Sequence, residues 1–175
     1  MPRTTFDELP DHGRLWVFPL DRDLAPDEQS TCLAIVDEFL EQWAAHGVPL
    51  RSGRELRDGR FLLVGVDVDE EAPSGCSIDA LVNRLRTLGS DLGVTFIDHA
   101  PVWYRDGGEV RSLSRSGFRA LADEGGVTPE THVFDTTLTR IAQLRAGELE
   151  REASDSWHGR VYFEERTGSR SGAGA

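Results

Sequence analysis

A chain of 175 residues, 38% of them hydrophobic, has material for one ordinary core and a small appendage, and no run approaches the eighteen or so apolar residues of a membrane span. Thirty-one acidic residues against nineteen basic ones leave a net charge of −12, which argues against a nucleic-acid partner. Every basic residue is arginine, so the chain holds neither a P-loop lysine nor a Schiff-base lysine.

Such a surface suits a salt-rich cytoplasm, where high charge is screened. Met1 to Leu9 carries no basic-then-apolar leader pattern, so a cytoplasmic location is expected. Cys32 and Cys76 share no metal-ligand spacing and are expected to be free thiols. No cofactor is implied.

Taken in order, residues 1–13 form an entry segment and Arg14 to Phe18 a short strand. From Pro26 to His46, Leu33, Val36, Phe39, Leu40 and Trp43 recur at helical spacing, with Pro26 in the first turn and Gly47 placed as the stop. His46 then lies at the negative end of that helix. Val48 to Arg57 and Phe61 to Val68 flank the turn dipeptide Asp58-Gly59, and the continuous apolar run of the second arm predicts a central strand. Ser77 is the expected N-cap of a helix with Ile78, Leu81, Val82, Leu85 and Leu88 on one face, ended by Gly89 and Gly93. Val94 to Ile97 returns as a strand, and Val102 to Tyr104 leads through Asp106-Gly107-Gly108 to Val110.

This order, β-α-β-β-α-β, predicts an α+β fold of the ferredoxin-like, split-βαβ kind, an antiparallel sheet with both helices on one face. It occupies residues 1–113. A small, mostly helical C-terminal extension is expected over 114–163. There Ser114 to Glu124 reads as a helix, Thr131 to Phe134 as a short strand or extended segment and Thr139 to Ala153 as a charged helix. Trp157 and Val161 to Phe163 are expected to pack back on the body, and 164–175 to form a disordered tail.

Chemistry concentrates in Ser74-Gly75-Cys76-Ser77-Ile78-Asp79, at a strand-to-helix turn. A thiol in the first turn of a helix meets positive potential that favours the thiolate, making Cys76 the candidate catalytic residue. Its base would be a histidine, with His12, His46 and His99 available. The alternative is a small residue in a tight turn. Ser74, Gly75, Ser77 and Asp79 are the candidate anion- or ligand-binding residues, through free backbone N–H groups. The acids Asp67, Asp69, Glu70 and Glu71, with Asp79, match no calcium-loop spacing and read as a solvated surface, so no metal site is expected. Asp98-His99 and Asp155-Ser156-Trp157-His158 hold triad-like letters without a nucleophile elbow.

The runs Phe6-Asp7-Glu8-Leu9-Pro10, Arg14-Leu15-Trp16-Val17, Trp43-Ala44-Ala45-His46-Gly47, Ser74 to Asp79, Val133-Phe134-Asp135 and Ser156-Trp157-His158 together resemble a family of small bacterial proteins often labelled "ABC transporter ATPase". The resemblance spans residues 6–163 and brings no catalytic residue with it. The activity in that label needs a glycine-rich loop ending in lysine, which a lysine-free chain does not have. Leu113 to Phe134 is similar to the helix-and-strand part of GYF-type binding modules. Two functions are therefore expected of the chain. One is a non-enzymatic binding or regulatory module with a protein or small-molecule partner, or a second copy of itself. The other is a thiol-dependent enzyme or redox sensor built on Cys76.

Overall fold

The structure, a computed structural model, describes residues 3–96 and 100–164. In chain order its elements are β1 (Arg14–Pro19), α1 (Pro26–Gln42), β2 (Ala44–Ala45), β3 (Val48–Pro49), β4 (Ser52–Arg57), β5 (Phe61–Val66) and α2 (Gly75–Leu92). There follow β6 (Val102–Asp106), β7 (Glu109–Leu113), α3 (Arg115–Asp123), β8 (His132–Phe134), α4 (Ile141–Arg145), β9 (Glu150–Glu152) and a short α5 (Trp157–Gly159) that runs on as a π turn. They divide into two compact units, Met1–Asp98 with Thr137–Ala146, and His99–Thr136 with Gly147–Ala175. All paired strands are antiparallel.

The first unit is built on β5, whose six residues are all buried, as its unbroken apolar run requires. It lies between β1 and β4, with Arg14 opposite Val66 and Arg57 opposite Phe61. Asp58 and Gly59, both left-handed at φ 56° and 59°, turn the β4–β5 hairpin. Leu62, Val64 and Val66 meet Val36 and Leu40 of α1 and Leu81, Leu85 and Leu88 of α2. On the opposite face Gly65 is closely overlaid by Phe6, Leu9 and Ile141, which a Cβ there would meet at 3.0, 2.8 and 2.9 Å. The outer edge of β1 is covered in two places: Leu15 N–H donates to Thr139 C=O at 2.9 Å, and Leu20 bridges Phe96.

Several expectations are corrected here. The described residues hold three sheets, ordered β1-β5-β4, β2-β3 and β7-β6-β8-β9, where one four-stranded sheet was expected. The strand expected over Val94–Ile97 is reduced to the single Phe96 bridge, and Ile97 lies outside the described residues. Helix α1 stops at Gln42, not at His46. Trp43 leaves the helical path with its indole donating to Ser77 C=O at 2.8 Å, and His46 and Gly47 take left-handed angles (φ 53° and 77°) to turn the β2–β3 hairpin. The N-cap of α2 is Ser74, and Gly93, left-handed at φ 70°, is its C-cap. Gly89 stays inside the helix, where Val94 C=O lies 2.6 Å from where a Cβ would stand, a contact that only glycine allows.

Helix outweighs strand over 114–163, but β8 and β9 within it join β6 and β7 in a four-stranded sheet, so the segment is not a separate extension. The boundary expected after residue 113 falls at the end of β7, and β6 and β7 belong with β8 and β9. Helix α3 begins where expected, its Ser114 hydroxyl accepting from Gly117 N–H at 3.0 Å. Its Phe118 packs edge-on against Tyr104 of β6 and Tyr162 of the π turn. The charged segment expected as one helix over Thr139–Ala153 contains only the five residues of α4. Gly147 (φ 81°) ends it, and Leu149 accepts from Asp135 N–H to start β9. Of the tail expected over 164–175, only Glu164 is among the described residues.

Candidate functional site

Ser74 and Ser77 form a reciprocal cap at the start of α2. The Ser74 hydroxyl accepts from Ser77 N–H at 3.2 Å, and the Ser77 hydroxyl accepts from Ser74 N–H at 2.7 Å. Two of the orphan donors of the helix end are thus satisfied locally, and the Ser77 hydroxyl also donates to Ser74 C=O at 2.8 Å. Ser77 is buried, held from outside by the Trp43 indole on its carbonyl. Gly75 and Cys76 fill the first two helical positions and are exposed, and a Cβ on Gly75 would meet nothing within 4 Å.

A shallow depression of about 580 Å³ lies over this turn, lined by Ala44, His46, Ser74, Gly75, Cys76, Ser77 and Ala80. Among the described residues, the histidine that lines this depression with Cys76 is His46. The early end of α1 frees Trp43 to Ala45, and the His46-Gly47 turn carries His46 to the rim of the Cys76 depression. Asp79 is exposed on α2 and is not part of that lining. His99 lies outside the described residues. The second thiol, Cys32, is fully buried in α1, and burial pushes it up to about 11, with a small opposing pull from Arg54. It is an inert internal reference.

His12 goes elsewhere, onto the acidic run. Its Nε2 is 2.7 Å from Asp69 Oδ1, and one ligand atom each of His12, Asp67 and Asp69 lie within 4.8 Å of one another. Asp67 is already engaged, accepting from Asp69 N–H at 3.0 Å and pairing with Arg51 at 3.2 Å, and these bonds hold its carboxyl below the usual range. Glu70, Glu71 and Asp79 stand apart from the group. The pairing of His12 with Asp69, 57 positions away, leaves no mark in the sequence.

The triad-like letters of the second unit also rearrange. His158 Nδ1 is 2.8 Å from Ser156 Oγ, and both are buried, while Asp155 is exposed. Trp157 stacks on His158 at 3.7 Å and its indole donates to Asp135 at 3.4 Å. Asp98-His99 lies outside the described residues. No family model, no curated protein and no solved structure matches the chain. Among the described residues no helix is long and apolar enough to cross a membrane.

Proposed function

We propose that the protein is a binding or regulatory module, with the depression at the start of α2 as its recognition surface. The observation that carries this reading is the commitment of the polar groups there. The Ser74 and Ser77 hydroxyls are spent on the helix cap, which leaves an open, shallow surface of alanine, glycine, Cys76 and His46. Such a surface takes up a side chain or a flat ligand edge.

The second reading, a thiol-dependent enzyme or redox sensor, is favoured by one specific observation, that His46 lines the same depression as Cys76. Alkylation of Cys76 with and without His46, followed by mass spectrometry against the buried Cys32, separates the two.

A second copy of the chain is one partner we propose. Strand β7 ends its sheet, and an antiparallel β7–β7 pair centred on Val110 would set Glu109 of each copy opposite Arg111 of the other. A cytoplasmic location and membership of the small bacterial family remain part of the proposal, resting on composition and on the Ser74–Asp79 run. So does the ferredoxin-like reading of the first unit. Its support is that β5 is inserted between β1 and β4, and that Phe96 bridges Leu20 on the other side of β1.

A further inference from the structure

By sequence the acids of 67–71 read as a solvated surface, and the fold brings a histidine to them. The turn over residues 10–13, closed by Gly13 N–H donating to Pro10 C=O at 2.9 Å, lies against the end of β5. A Cβ on Gly13 would stand 2.8 Å from Val66 C=O, so the turn is packed closely on that strand. It delivers His12 to the residues just past β5. His12 Nε2 stands 2.7 Å from Asp69 Oδ1, and an oxygen of Asp67 completes a group whose three donor atoms lie within 4.8 Å of one another. None of the three residues lines the Cys76 depression.

We infer that His12, Asp67 and Asp69 bind a divalent transition-metal ion of the zinc class. One imidazole nitrogen with two carboxylate oxygens suits such an ion, whereas magnesium and calcium take oxygen ligands. Zinc holds N and O donors at about 2.0–2.2 Å, which sets the donors roughly 3–3.6 Å apart. Closing from 4.8 Å asks a movement of about 1 Å from His12 and Asp69, whose side chains are 58% and 62% exposed and free to make it. Asp67 is the fixed member. Its side chain is 15% exposed, its Oδ1 accepts from Asp69 N–H at 3.0 Å and its Oδ2 from Arg51 at 3.2 Å, the support a ligating carboxylate needs. Each oxygen keeps a further lone pair for the metal. Arg51 opposes a cation with one charge, against which stand two carboxylates, with Glu70 and Glu71 next in the chain. The metal takes the place of the proton shared by His12 Nε2 and Asp69, and that proton leaves to solvent. Water completes the coordination from the open side.

The test is a titration of the full chain with zinc chloride at neutral pH in a buffer that does not chelate. It is read by nitrogen-15 NMR on the His12 ring and on the Asp67 and Asp69 amides, so that zinc held elsewhere is not mistaken for this site. The expected result is a saturable change with a dissociation constant below about 1 mM. His12→Gln and Asp69→Asn, the first read on the two amides, should each weaken it by about tenfold or more. Magnesium chloride in a parallel titration should bind about tenfold more weakly than zinc, or less. Absence of a saturable change up to about 1 mM zinc would overturn the site. A response that survives either substitution would also overturn it and mark an adventitious ion only, since both side chains are exposed and the variants keep the fold. Magnesium binding as tightly as zinc would overturn the transition-metal assignment.

Discussion

His158 is 1% exposed, and burial pushes its imidazole down to about 4, with Arg115 and Arg151 adding to the effect and Asp135 opposing it. In the unfolded chain the same ring takes a proton near pH 6.5, so acid loads the unfolded state with a proton that the folded state refuses. Its contribution is complete above pH 6.5 and is lost as the pH falls toward 4, by about 3 kcal/mol in all. Denaturant unfolding across that window should show a shallower loss in His158→Gln than in the native chain. A second test is steric. A Cβ on Gly65 would stand 2.8 Å from Leu9, 2.9 Å from Ile141 and 3.0 Å from Phe6, so these buried side chains would have to shift. Gly65→Ala should therefore destabilise by about 1–3 kcal/mol, read as a lower denaturant midpoint with unchanged slope. At most strand positions alanine in place of glycine would help instead.

At the scale of elements, the reciprocal cap decides where α2 begins and hence where Cys76 stands. Ser74→Ala removes the acceptor for Ser77 N–H and should cost about 0.5–2 kcal/mol, measured by thermal or denaturant unfolding. The sequence shows α2 and the central strand β5 because each satisfies local and global demands at once. One carries five apolar residues at helical spacing, the other an unbroken buried run. It places the cap three residues late, because Ser74 and Ser77 are both good caps and the helix takes Ser74, whose hydroxyl accepts from Ser77 N–H. The end of α1 was hidden for a related reason. Trp43 to His46 is compatible with a helix by composition, and only the indole bond to Ser77 C=O and the left-handed His46-Gly47 pair turn it into a hairpin. Strand β8 falls within the expected Thr131 to Phe134 segment, but the sheet it joins was hidden because β9 is only three residues long. So short a strand has no readable periodicity, and its partners come from distant sequence.

For the whole molecule, the arginine-only basic set has a structural counterpart. Planar forks tie α1 to β4 through Arg54 and Asp37, and β6 to β9 through Arg105 and Glu150. Buried Arg60 donates to Leu20 C=O and Asp21 C=O and pairs with Asp23, which fastens the β4–β5 turn. These side chains spend their charge on the fold. Of the candidate site, the sequence showed that Ser74 to Asp79 lie at one strand-to-helix turn; the exposure of the Cys76 thiol comes from the structure. Nor could the sequence show that His46 joins them, since that needs the hairpin in place of the last helical turn. The central claim is that this depression recognises a partner and does not activate its thiol. Its most direct measurement is the rate of Cys76 alkylation by iodoacetamide at neutral pH, in the native chain and in His46→Gln, with Cys32 as the internal reference. Rates that agree within about twofold are the result expected of a binding surface. A slowing of tenfold or more in His46→Gln would contradict it and establish Cys76 and His46 as a working thiol–imidazole pair.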